Sequence, residues 1–209
     1  HAAALLTGLL GNDRIGFHTR GYAQEFLATV ERTLPDAEVD ADALHVTHDG
    51  RTVEVYVAPV GIDTQTVGEL AEIPEAERFW RDLSEREGIA PDERIAVSVD
   101  RLDYTKGILQ RLDAVEHLLE RDDSLRGSFR LLQKGSPTRE QIPEYERYQQ
   151  DIFEKIRHLN DRFGTEEWQP VVYLDGRYTR AEITSLYRNA DVCIVSPLAD
   201  GYNLVAQEY

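Results

Sequence analysis

Residues 94–107 read RIAVSVDRLDYTKG. The first six are a short apolar, β-branched run and read as a strand. The next eight form a polar loop ending in glycine, and helical spacing then runs over 108–121. Strand, loop and helix in that order open a parallel α/β unit. Downstream, 129–133 reads as a strand. Thr138 and Gln141 have the spacing of a capping box opening a long helix to about Phe163, with Pro143 tolerated in the first turn. A strand is expected over 171–174. Thr179 and Glu182 make a second capping box before a helix to Asn189, and a last strand is expected over 191–195. Upstream, 74–87 is a charged helix with Phe79, Trp80 and Leu83 inward. A strand is expected over 52–60, and an amphipathic helix over 22–33 with Tyr22, Phe26, Leu27 and Val30 on one face. A buried strand is expected over 14–19 and a short apolar helix over 5–10. Two α/β lobes with a cleft between them follow, and the charged helix is their expected joint.

In an open parallel sheet, ligands bind beyond the carboxyl ends of the strands. Loops 100–107, 134–139 and 196–203 fall at such ends and are rich in glycine and polar residues. Arg101 and Lys106 suit a diphosphate: arginine offers a planar fork, lysine a point charge. The competing reading is two surface cations on a salt-bridged loop. The chain has few lysines, however, and Lys106 precedes a glycine at a strand end, which favours function. In PLADGYNLVAQE (197–208), Gly201 lets the backbone approach a ligand, and the helix that follows presents free N–H groups to an anion. Glu208, one turn in, could accept ribose hydroxyls or be an ordinary helix glutamate. Asp200 before glycine could be a turn residue or, as in glycosidases, a nucleophile.

Composition narrows the partners. The 209 residues carry 39 Asp plus Glu against 23 Lys plus Arg, a formal charge of −16, which argues against nucleic acid or an anionic membrane. The cations include only three lysines, Lys106, Lys134 and Lys155. An acidic, lysine-poor surface stays soluble at high salt, so a salt-adapted source is expected. Unchanged activity and stability of the intact protein between molar and low salt would refute this. Cys193, in an apolar run, reads as a buried small hydrophobe and makes a reducing cytoplasm the expected compartment. His18, His45, His48, His117 and His158 have no metal-binding spacing and read as structural or solvated. The segment HAAALLTGLLGND lacks a basic region and a cleavage site and does not read as a signal peptide. Methionine is absent even at position 1, so an internal fragment of a longer protein is expected.

SVDRLDYTKG (98–107) and PLADGYNLVAQE (197–208) resemble the donor-site motifs of trehalose-6-phosphate synthases, and LLGNDRIGFHT, VAPVGID and QKGSPTRE resemble flanking segments in the same order. The resemblance covers nearly the whole chain. It implies a two-lobed glycosyltransferase-B fold with Rossmann-like lobes. Residues 1–63 would end the acceptor lobe, 64–90 would connect the lobes, and 91–209 would begin the donor-nucleotide lobe. It implies transfer of glucose from a nucleotide, usually UDP-glucose, to glucose 6-phosphate, with retention at the anomeric carbon and without a metal. By resemblance, Arg101 and Lys106 hold the donor diphosphate. Leu204, Val205, Ala206, Gln207 and Glu208 form the backbone-and-ribose site, with Gln207 where lysine is frequent. Asp200, Gly201, Tyr202 and Asn203 hold the donor glucose, Tyr178 lies near the base or ribose, and Arg139 grips the acceptor phosphate. The leaving phosphate helps deprotonate the acceptor, so Asp200 positions hydroxyls rather than attacking. The family's glycine-containing donor loop and its His-Ile-Pro-Phe-Pro histidine would lie upstream of His1. A glycerol-phosphate acceptor and a non-catalytic sugar-phosphate sensor remain open alternatives, as does a homo-oligomer.

Overall fold

The computed structural model describes residues 1–139 and 141–209. They divide into two units, His1–Gly61 and Ile62–Tyr209.

The first unit runs α1 (Ala2–Leu9), β1 (Arg14–Phe17), α2 (Arg20–Thr33), β2 (Glu38–Asp40), β3 (His45–His48) and β4 (Arg51–Val57). Its sheet has the order β1-β4-β3-β2. Only the β1–β4 pair is parallel; β2–β3 and β3–β4 are antiparallel. The all-parallel expectation therefore fails in this unit. The hairpin joining β3 to β4 turns through Asp49 and Gly50, both at positive φ, as a tight two-residue turn requires. Ala23, Leu27 and Val30 of α2 pack on Val46, Val53 and Val55. Tyr22 was expected on that face but is 41% exposed, because Ala23, one residue on, takes its place. The stretch expected as a buried strand over 14–19 is the edge strand β1, alternately exposed and half-buried.

The second unit contains α3 (Thr64–Ala71), α4 (Pro74–Glu87), β5 (Arg94–Arg101), a 3-10 turn (Tyr104–Lys106), α5 (Ile108–Arg121), β6 (Phe129–Ser136), α6 (Pro143–Phe163), β7 (Val171–Leu174), α7 (Arg180–Asn189), β8 (Val192–Cys193) and α8 (Val205–Glu208). Its sheet is parallel throughout, in the order β7-β6-β5-β8. β5 and β6 are the central strands, buried on both faces along most of their length, and they enclose Ser98, Arg130, Gln133 and Lys134 beside their apolar residues. One face carries α5 and α6 over Ala96, Leu131 and Val171. The other carries α4 and α7 over Ile95, Val97 and Leu132. Ser185 on α7 donates to the Ala76 carbonyl of α4 at 2.7 Å, and Arg188 to the Ala71 carbonyl of α3 at 3.2 Å. Residues 64–90, expected as a connection, are thus two helices packed into the second unit.

The Thr179–Glu182 capping box is present in both directions. The box expected at Thr138 and Gln141 is not. Proline has no N–H to give and settles at the first helical position, so Ile142 becomes the N-cap and Thr138 lies too far upstream. The last strand is only two residues long because β8 pairs with β5 at the sheet edge, and Val192 is 45% exposed there. Cys193 is correspondingly half-buried, not enclosed. Among the described residues no helix is long and apolar enough to cross a membrane.

Candidate functional site

The carboxyl ends of β5 and β8 are neighbours in the sheet, and their loops are tied together. Asp103 caps the turn after β5, accepting the Thr105 N–H at 2.9 Å. Burial opposes ionisation of Asp103, but the Thr105 hydrogen bonds and the charges of Arg101 and Arg139 outweigh it and lower its pKa. Gly107 ends this turn at φ 63°, and a Cβ there would collide with the Ser196 carbonyl. The loop after β8 lies on the same turn: the Leu198 and Ala199 N–H groups donate to the Thr105 carbonyl at 2.7 and 3.3 Å.

Lys106 closes the junction. Its Nζ lies 2.7 Å from Asp200 Oδ2, with the two side chains only 12% and 22% exposed. Asn203 Nδ2 donates to the same oxygen at 2.9 Å, and Asn203 Oδ1 accepts the Ala206 N–H of α8 at 3.3 Å. Burial pushes the Asp200 carboxyl up, but Lys106 and Asn203 bring it below its ordinary range, so Asp200 is an anion. A continuous polar chain therefore runs from the β5 turn to the start of α8. One of the N–H groups expected to be free at that helix start is already taken by Asn203.

The other expected residues sit around this edge. Arg101 is exposed at the end of β5. Arg139 adopts a left-handed backbone, φ 50°, rare for a residue with a side chain, and donates to Tyr145 Oη at 2.5 Å. Glu140, in the same motif, lies outside the described residues. Tyr178 stands between two hollows. One, of about 650 Å³, is lined by Phe79, Arg86, Tyr173 and Asp175. The other, of about 230 Å³, is lined by Val99, Arg180, Val205 and Glu208. Glu208 Oε1 is 4.0 Å from Arg180 Nη2. Leu204 is the N-cap of α8, which carries Val205, Ala206, Gln207 and Glu208. Tyr202 is half-buried, while Gly201 is exposed and has open space where a Cβ would be. Gly107, not Gly201, is the glycine this junction requires.

Sequence reasoning overlooked two charges. Arg111, 2% exposed on α5, pairs with Asp100 at 2.9 Å. It also donates to Ser196 Oγ, Gln133 Oε1 and the Lys106 carbonyl, so one guanidinium supports β5, β6 and both loops. Its signal was available: it falls on the stripe Ile108, Leu112, Val115 and Leu119 that buries the helix. Lys134 was expected in a loop but belongs to β6 and is 2% exposed. Its ammonium lies 5.1 Å from the centre of the Tyr178 ring and donates to the Gly135 carbonyl, and burial lowers its pKa.

A parallel sheet with polar loops gathered at one carboxyl edge defines a Rossmann-like α/β unit, whose ligands bind at that edge. Residues 1–209 match Glycosyltransferase family 20, and the chain belongs to that family. It is 37% identical to a UDP-forming α,α-trehalose-phosphate synthase of Pichia angusta, over 98% of this chain and 42% of that one. A trehalose-phosphate synthase from Burkholderia xenovorans, solved in complex with glucose-6-phosphate, superposes with a TM-score of 0.88 at 30% identity, over 98% of this chain and 45% of that one. An E. coli trehalose-6-phosphate structure bound with UDP-2-fluoro glucose gives 0.88 at 28% identity, over 98% and 44%. The fold is therefore glycosyltransferase-B, and the chain spans about two fifths of the length of the curated relative.

Proposed function

We propose that the full-length protein transfers glucose from UDP-glucose to glucose 6-phosphate, with retention, to form trehalose 6-phosphate. The observation that carries this reading is the Lys106–Asp200 pair, which joins the loops after β5 and β8 at the carboxyl edge, where open parallel sheets bind their ligands. Arg101 and Lys106 would receive the diphosphate. As the sugar–phosphate bond breaks, negative charge grows on the leaving diphosphate, and cations already held in place stabilise it without reorganising. Removing one such donor typically costs about 3 kcal/mol of transition-state stabilisation. Asp200, an anion fixed by Lys106 and Asn203, accepts hydrogen bonds from glucose hydroxyls, together with the Gly201–Tyr202–Asn203 segment. Glu208 receives the ribose, and Tyr178 lies beside the base or ribose. Arg139 takes the acceptor phosphate. The leaving phosphate accepts the acceptor's hydroxyl proton on the same face, so no metal is required. The UDP-forming relative and the neighbour bound with UDP-2-fluoro glucose favour uracil.

The test is a donor panel on the full-length protein: UDP-, GDP- and ADP-glucose, each offered glucose 6-phosphate or glycerol 3-phosphate. Trehalose 6-phosphate formed fastest from UDP-glucose supports the reading. Nucleotide binding without transfer to either acceptor contradicts it.

A further inference from the structure

Lys134 is a buried charge that the reading above leaves unused. It lies near the end of β6 and is 2% exposed. A lysine ammonium has three donors. One reaches the Gly135 carbonyl, and among the described residues the ammonium makes no ion pair. Burial lowers its pKa, and Asp175 opposes this only through its charge. Methionine would fill the same space with no charge to desolvate, so the lysine costs stability where it stands. Its remaining neighbour is aromatic.

That neighbour is Tyr178, whose ring centre lies 5.1 Å from the ammonium. A cation withdrawn from water holds an aromatic ring more firmly than a solvated one. Phe79 meets the same ring edge-on, with centroids 5.2 Å apart, and Arg86 acts on its hydroxyl. The ring is thus held by a cation, by a second ring and at its oxygen before any ligand arrives. It also lines the 230 Å³ hollow, together with Val99, Ile183 and Glu208. A side chain that a ligand must immobilise loses rotamer freedom on binding, and one already held does not.

We infer that Lys134 is a positioning residue for the donor nucleoside, acting through the Tyr178 ring. The inference rests on the donor-nucleotide reading of Tyr178, and its test separates the two. UDP is titrated calorimetrically into the full-length protein and into its Lys134→Met, Tyr178→Leu and doubly substituted variants. Lys134→Gln, a second neutral replacement, guards against a local misfit of methionine. Either Lys134 variant should weaken UDP binding about fivefold, the scale of immobilising one side chain on binding. The KM for UDP-glucose should rise by the same factor with kcat unchanged, the pattern of lost ground-state binding. In the Tyr178→Leu background the Lys134 change should have no further effect. UDP binding that both replacements leave unaltered overturns the inference. So does equal weakening with and without the Tyr178 ring, which marks a purely structural role, and so does a fall confined to kcat. In each of these cases the donor reading stands. A wild-type protein that does not bind UDP overturns both.

Discussion

The loops after β8 and β6 leave the same sheet edge but are held in different ways. The β8 loop is fastened to a neighbouring strand's turn by Lys106–Asp200, by two main-chain bonds to Thr105, and from below by Arg111. The β6 loop presents Arg139 on a strained left-handed residue, and that arginine leans on Tyr145, six residues further along the chain. The first arrangement resembles what a leaving group needs, charges fixed before the reaction starts. The second depends on local support, and a bound phosphate could redirect it at small cost. The contrast predicts that damage to the first loop lowers stability or turnover, whereas damage to the second alters acceptor affinity.

Arg111→Met should strain this contrast most. It leaves Asp100 buried without its counter-ion and should cost about 3–5 kcal/mol of stability in urea unfolding. A loss below about 1 kcal/mol would show that the guanidinium is not the strut. Arg101→Ala and Lys106→Ala in the full-length protein should each lower turnover by about two decades or more. Near-normal kinetics in both would dissolve the distinction between the loops. Arg139→Ala should raise the acceptor KM by about tenfold with little change in kcat, the pattern of a lost ground-state contact. A fall in kcat alone would place Arg139 in the reaction step.

Much of the fastened edge was legible. Strand, polar loop and glycine stood in order, and Gly107 marked the turn where no side chain fits. The Thr179 capping box and α5 were readable because local spacing decides them. Failures came where another interaction overruled spacing. Pro143 moved the start of α6, and a sheet edge shortened β8. Arg111 was missed because a charged side chain on an amphipathic helix is usually solvated, and here four partners make its burial tolerable. Lys134 was missed because β6 continues past its apolar run, carrying the lysine inside under Tyr178.

The smallest effect belongs away from the edge. Glu116 is held at about 2, below its usual 4.5, mainly by Lys155, with Arg162 and His158 adding to it. A lowered carboxyl contributes stability that is complete above the usual value and fades as pH falls from about 4.5 through about 2. Glu116→Gln should therefore flatten the stability curve in that window and leave the donor edge untouched. An unchanged acid limb would show the cluster to be inert.

The most direct measurement is the affinity of UDP, UMP and uridine for the full-length protein, with and without Lys106→Ala. If the joined loops hold the diphosphate, the wild type binds UDP far more tightly than UMP or uridine, and the variant loses most of that preference while binding uridine as before. A wild type that binds UDP and UMP alike, or a variant that keeps the preference, would contradict placing the diphosphate at Lys106.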